Sequence, residues 1–119
     1  MSPSFADSVA RVVDELTPAE REGAVAYLVA EPIEKEARLA LPGVEIVTRA
    51  RSLLAFVDQD PAANWGHPAR YILVACDDRA PAISIPARLP PFGQKGGLPW
   101  RVAYRAPAVP HWAVAVPET

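Results

Sequence analysis

The residues best equipped for chemistry lie in one polar segment, residues 56–71, between two apolar segments. Loops held between rigid strands are where binding residues concentrate. The segment carries carboxylates, an amide, an indole, an imidazole and a guanidinium: Asp58, Asp60, Asn64, Trp65, His67 and Arg70. No motif of known catalytic chemistry matches it, so it indicates a binding site and not a particular reaction.

Asp58, Asp60 and Asn64 supply the oxygen ligands that Ca²⁺ or Mg²⁺ prefers. The calcium-loop pattern fails, because alanines replace its third ligand, its glycine and its final glutamate. Asp and Asn are also common turn formers that bond to their own backbone. A divalent-cation-binding domain, or a small metal-assisted hydrolase, is therefore an alternative function, and a divalent cation is the only cofactor that we consider.

Trp65, His67 and Arg70 predict a surface for a partner protein. A loop Trp either fills the edge of a core or anchors a partner. His67 either pins the loop with a hydrogen bond or makes a pH-sensitive contact, and pinning is the more common role. Arg70 is expected to pair with Asp58 or Asp60 and close the loop.

A second loop is predicted over residues 86–99, which contain four prolines and three glycines. We expect a loop or a mobile flap there, and we expect Phe92 and Lys95 to join the partner-binding surface. Its glycines and lysine do not follow the order of a phosphate-binding loop.

Elsewhere in the sequence, the evidence for a catalytic group is weak. Cys76 with His67 or His111 would be a thiolate–imidazolium pair, but Cys76 ends an apolar run, where a thiol packs as a small hydrophobe. Ser84 lacks the glycines of a nucleophile elbow. The main expectation is a small non-catalytic interaction module of the accessory, adaptor or inhibitor kind.

Nucleic-acid binding is a second alternative, through the basic stretch at residues 79–105. Five bases and no acid lie between Arg79 and Pro117, and aromatic residues are interspersed among them. However, alternation in Trp100–Arg105 directs the aromatic residues to the core and the arginines outward. The net charge of −2 also argues against this function.

The front of the chain predicts helices. Apolar residues at helical spacing define a first helix: Phe5, Val9, Val12, Val13 and Leu16. A capping box at Thr17 and Glu20 begins a second helix, expected to reach about Ala30. A third short helix is expected over 33–41, ended by Pro42-Gly43. Residues 1–43 are thus the helical part.

The remainder, residues 44–119, predicts strands. The runs are 44–49, 53–57, 71–76, 82–85, 100–105 and 112–116. Prolines fall between these runs, as expected where a sheet ladder needs every N–H. The pattern predicts a single α+β domain over residues 1–119: short helices packed on an antiparallel sheet of five or six strands, as a sandwich or partly open barrel.

Cysteine content, hydropathy and charge distribution give further expectations about the protein. The 119 residues include one Cys, so an intrachain disulfide is excluded. No apolar run is long enough to span a bilayer, and the N-terminus does not resemble a signal peptide, so a cytoplasmic location without membrane contact is expected. An acidic front and a mildly basic back also make a symmetric homodimer possible.

Overall fold

The protein is described from a computed structural model, which covers residues 3–63, 67–77, 80–93 and 97–118. The elements in these ranges are α1 (Phe5–Val13), α2 (Pro18–Gly23), β1 (Val25–Val29), β2 (Arg38–Leu41), β3 (Val44–Val47), β4 (Ser52–Asp58), β5 (Ala69–Ala75), β6 (Ile83–Ala87), β7 (Trp100–Arg105) and a 3₁₀ turn (His111–Ala113). None of the helices described is long and apolar enough to cross a membrane.

The predicted α+β fold is confirmed. Five strands form an open sheet in the order β6-β5-β4-β1-β7, and all neighbours are antiparallel. β2 and β3 form a separate two-stranded hairpin. β4 and β5 are antiparallel neighbours, with Phe56 opposite Tyr71.

Local capping explains where both helices begin. The Ser4 side chain accepts a hydrogen bond from the Asp7 N–H at the start of α1. At α2, Thr17 and Glu20 form the predicted capping box, with bonds of 2.9 and 3.1 Å. The apolar stripe of α1 faces the sheet, where Val12 is buried together with Leu16, which follows the helix.

The predicted extent of the second helix is wrong. α2 ends at Gly23, and Val25–Val29 is a central strand in which every residue is buried. Every residue of this segment is apolar. Such a sequence is equally typical of a strand that is covered on both faces and of a buried helix. The helical residues therefore end well before residue 43.

The predicted third helix is also wrong. Its last residues form β2, which turns at Pro42-Gly43 into β3. Gly43 has φ +73°, a conformation that favours glycine and allows the tight turn. The short apolar pattern of this segment fits one face of a strand as well as a helix turn.

The strands predicted over 44–49, 53–57, 71–76, 82–85 and 100–105 correspond to β3 to β7. The strand predicted over 112–116 is wrong, because a 3₁₀ turn begins at His111 and the side chain of Trp112 is 75% exposed. The alternation predicted for β7 is interrupted by a bulge opposite Ala26 and Tyr27. As a result, the Tyr104 hydroxyl reaches the helix side and donates to the Arg21 carbonyl.

The main sheet buries both of its faces. We call them the helix face and the hairpin face. Small and aliphatic residues such as Ala26, Ala55 and Ile72 pack on the helix face under α1. Larger rings, Tyr27 and Phe56 among them, pack on the hairpin face under β2, β3 and the loops after β6 and β7.

Candidate functional site

The polar segment begins with a buried contact between a carboxylate and an imidazole. His67 Nε2 lies 2.8 Å from Asp58 Oδ1, and the two side chains are only 12% and 13% exposed. The Asp60 N–H donates to the same carboxylate oxygen at 3.1 Å. Burial raises the pKa of Asp58, while the Asp60 N–H and His67 act in the opposite direction. The predicted pinning role of His67 thus has a defined partner, Asp58, at the base of the loop.

Arg70 does not pair with Asp58 or Asp60, so that prediction is wrong. Its guanidinium binds the carboxylate of Glu20, with Nε to Oε2 and Nη2 to Oε1 both at 2.8 Å. The reason is strand alternation. Arg70 lies opposite Val57, whose side chain is on the helix face. Asp58 lies two residues after Phe56 and therefore points to the same hairpin face as Phe56.

Arg70 also ties three other parts of the chain together. Its Nη2 donates to the Glu15 carbonyl at 2.9 Å, and its Nη1 donates to Ser84 Oγ at 3.1 Å. The side chain is 16% exposed. These contacts make Arg70 a clamp between β5, β6 and the helices, and they leave little of its guanidinium for a partner.

Glu20 is a residue whose second role the sequence did not reveal. Burial would raise the pKa of this carboxyl, but hydrogen bonds from Arg70, from the Thr17 N–H and from Gln59 outweigh it and lower the pKa to about 2. Gln59 Nε2 donates to Glu20 Oε2 at 2.8 Å. Only the capping box signalled Glu20 in the sequence, and that signal concerns the helix start alone.

Phe92 is half-buried on the hairpin face and fastens the loop that follows β6. Its ring centroid lies 4.5 Å from that of Tyr27, 5.7 Å from that of Phe56 and 5.9 Å from that of Trp100. Edge-to-face packing of this kind stabilises aromatic clusters. Phe92 therefore packs against the hairpin face of the sheet.

An open groove of about 620 Å³ lies at the end of the sheet where β5 begins and β6 ends. Its walls come from the turn of the β2–β3 hairpin, from both ends of the polar segment and from the residues that end and follow β6. The lining residues are Pro42, Gly43, Val44, Gln59, Pro68, Ala69, Pro86, Ala87, Arg88 and Leu89. The groove thus brings the two loops that the sequence singled out to one place.

The groove lining is apolar apart from one amide and one cation. Among the described residues that line it, Arg88 is the only charged one, and Gln59 is the only other polar side chain. Leu89 is 42% exposed, so an apolar residue lies at the rim of the groove. The sequence analysis did not select Gln59, Arg88 or Leu89, because nothing in the order of residues shows that they share a surface.

Three predicted site residues, Asn64, Trp65 and Lys95, lie outside the described residues. Of the predicted cation ligands, Asp58 already accepts from His67 and from the Asp60 N–H. Within residues 3–63, 67–77, 80–93 and 97–118, no group of three or more His, Cys, Asp or Glu side chains is arranged to hold a metal ion.

The other chemical alternatives involve residues that lie far apart. Cys76 and His67 are at opposite ends of β5, roughly 30 Å apart along an extended strand. Burial raises the pKa of the Cys76 thiol, which disfavours a reactive thiolate. Among the bases, Arg88 follows β6 and Arg101 lies in β7, at the two opposite edges of the sheet.

The two arginines of β7 also have contacts of their own. The Arg101 guanidinium stacks 3.9 Å from the centroid of the Phe5 ring. Arg105 Nε lies 3.1 Å from Glu118 Oε1, close enough for an ion pair although the atoms are not aligned for a hydrogen bond. Of the bases that the structure describes in this stretch, Arg88, Arg101 and Arg105 thus lie on different edges of the sheet.

Comparison of this chain with protein-family models, with curated proteins and with solved structures finds no match.

Proposed function

We propose that this protein is a non-catalytic interaction module that binds a partner protein in the groove between the hairpin turn and the end of β6. The observation that carries the proposal is the convergence of the two predicted loops on that groove. Binding sites are typically concave and mainly apolar, with a few polar groups that set orientation. Gln59 and Arg88 are the polar groups here.

Three prolines support the proposal by stiffening the walls. Pro42, Pro68 and Pro86 line the groove, and each has a restricted φ. A surface that is ordered before binding loses less conformational entropy when the partner arrives. The Asp58–His67 pair adds to this order, because it closes the base of the loop that contributes Gln59 and Pro68.

The lining also indicates the chemistry of the partner. An extended segment with an apolar side chain beside a carboxylate suits a groove whose described lining is mainly apolar and includes Arg88. Arg88 and Leu89 therefore replace Arg70 and Phe92 as the contact residues that we propose. Trp65, from the same loop as Gln59, stays a predicted anchor.

A photo-cross-linking amino acid at Leu89 tests this proposal in cells of the source organism. The matched control carries it at Ala10, an exposed residue of α1 on the helix face. We expect one protein to cross-link from Leu89 and not from Ala10. Identical products from both positions, or a cross-link only to a second copy of this chain, would contradict the proposal.

Binding of the identified partner, once purified, provides the quantitative test. Leu89→Glu places a carboxylate on the groove rim and is expected to weaken the Kd about tenfold or more. Ala10→Glu adds the same charge to α1 and should leave the Kd unchanged. Equal effects of the two substitutions would rule out the groove as the contact surface.

A further inference from the structure

Strand β6 is an edge of the main sheet whose residues bear no charge. It pairs with β5 on one side only, and its sequence, Ile-Ser-Ile-Pro-Ala, has no charged side chain. Proteins usually protect an edge with charged residues, with Pro or with a covering segment. The opposite edge, β7, carries Arg101 and Arg105.

The hydrogen-bond pattern determines which backbone groups of β6 face outward. The Cys76 N–H donates to the Arg51 carbonyl at 2.9 Å, and the Gln59 N–H donates to the Pro68 carbonyl at 3.3 Å. In an antiparallel ladder, bonded and non-bonded pairs alternate. On β5, the even-numbered residues therefore turn their backbone groups to β4, and the odd-numbered residues turn theirs to β6.

Through the register of β5 with β6, Ile83, Ile85 and Ala87 are the residues that bond to β5. The N–H and C=O of Ser84 and the C=O of Pro86 consequently face away from the sheet. Pro86 lies where its missing N–H costs the internal ladder nothing. It reduces the capacity of the edge to pair but does not abolish it, because Ser84 keeps both groups.

Exposed aliphatic side chains accompany these backbone groups. Ile83 is 55% exposed, and Val47 at the end of β3 is 48% exposed. Both line a depression of about 310 Å³ on the hairpin face, together with Leu73 and Pro81. Among the strands described, only β5 pairs with β6, so this edge combines outward-facing backbone groups with apolar surface that water solvates poorly.

We infer that β6 pairs with β6 of a second copy of this chain, antiparallel about a two-fold axis at Ser84. The two Ser84 residues then exchange both of their backbone hydrogen bonds. On each side, an Ala82 N–H is positioned to donate to Pro86 C=O of the other copy. Ile83 of one copy comes beside Ile85 of the other on the hairpin face, as cross-strand neighbours.

A second copy suits this edge for two reasons. A two-fold axis needs a self-complementary strand, and a donor and acceptor on the same central residue provide one. The strand itself bears no charge, so the symmetric pairing sets no like charges opposite each other. The nearest buried charge, Arg70, is already paired with Glu20.

Analytical ultracentrifugation of the purified chain over a range of concentrations tests the inference with a matched pair of variants. Ser84→Pro removes the outward N–H, whereas Ser84→Ala removes only the hydroxyl that accepts from Arg70. We expect wild type and Ser84→Ala to dimerise with similar Kd, and Ser84→Pro to weaken the dimer about tenfold or more. Hydrogen exchange at the Ser84 amide should slow as wild-type concentration rises.

A monomeric wild type at the highest soluble concentration would overturn the inference, and so would equal dimerisation of Ser84→Pro and Ser84→Ala. Should Ser84→Pro not fold, Ile83→Lys serves instead, because Ile83 is exposed and Lys is the residue that commonly protects strand edges. An unchanged dimer in Ile83→Lys would then count against it. The experiment uses only the purified chain, so its outcome does not depend on the partner proposed for the groove.

Discussion

Arg70 on β5 holds the carboxylate of Glu20 on α2 through two parallel hydrogen bonds of 2.8 Å, across 50 residues of sequence. Both side chains are largely buried, at 16% and 3% exposure. Bidentate pairing of this kind is the strongest form of charge-assisted hydrogen bond in proteins. It fixes the second helix, which is only six residues long, to the sheet.

Removing one partner of this pair should destabilise the fold. We expect Arg70→Met to lower the free energy of unfolding by about 3 kcal/mol, because Glu20 would be left as a buried and unpaired charge. Arg38→Met is the matched control. It breaks the exposed pair between Arg38 and Glu45, at 69% and 56% exposure, and should cost less than about 1 kcal/mol. Denaturant unfolding measures both, and similar losses would contradict the assigned role of Arg70.

The same carboxyl predicts a pH dependence. The pKa of Glu20 is lowered from 4.5 to about 2 in the folded protein. A group with a lowered native pKa stabilises the fold above its unfolded pKa, and that contribution is lost as the pH falls toward the native pKa. The stability difference between wild type and Glu20→Gln should thus be constant above about pH 5 and shrink by about 3 kcal/mol toward pH 2.

This difference is the quantity to measure, because Asp58 titrates with the opposite sign. Burial raises the pKa of Asp58, so its contribution changes in the other direction over an overlapping range. Both proteins contain Asp58, and subtraction removes it. A wild type and variant whose unfolding curves stay parallel at every pH would show that Glu20 keeps its ordinary pKa.

The Asp58–His67 contact predicts that Asp58 and Asp60 contribute unequally to the stability of the fold. Asp58→Ala should lower the free energy of unfolding by about 2 kcal/mol, since it removes the acceptor of both His67 and the Asp60 N–H. Asp60→Ala, at an exposed side chain, should change it by less than about 0.5 kcal/mol. Thermal or denaturant unfolding distinguishes them, and a larger loss for Asp60→Ala would reverse the assignment.

Two tyrosines of the same aromatic cluster should respond oppositely to loss of the hydroxyl. Tyr71 Oη is buried and has no hydrogen-bond partner among the residues described, whereas Tyr27 Oη accepts from the Ala115 N–H at 2.9 Å. Tyr71→Phe should raise the free energy of unfolding by about 1 kcal/mol, and Tyr27→Phe should lower it by about 1 kcal/mol. Destabilisation by Tyr71→Phe would point to a partner for that hydroxyl.

Part of this architecture was readable from residue order alone. The strands around residues 53–57 and 71–76 were predictable because their apolar runs are short and bounded by turn residues. The start of α2 was predictable because capping is a contact between residues three positions apart. Local signals of this kind depend only on neighbours in sequence.

The segment Val25–Val29 shows where such signals fail. It is apolar throughout, so its pattern fits a buried helix and a central strand equally, and the pairing of β1 with β4 and β7 decided between them. The partner of Arg70 could not be predicted for a related reason. Which carboxylate it meets depends on the face of the sheet to which it points, and that face follows from register.

The sequence by itself determined the α+β class, the antiparallel nature of the sheet and the two polar or proline-rich loops that border the candidate groove. Tertiary structure decided that those loops meet, that Glu20 rather than Asp58 neutralises Arg70, and that β6 is the uncharged edge. The physical reason is range. Capping and turn formation act between near neighbours, whereas a groove, a buried ion pair and a sheet edge exist only once strands far apart in sequence have been aligned.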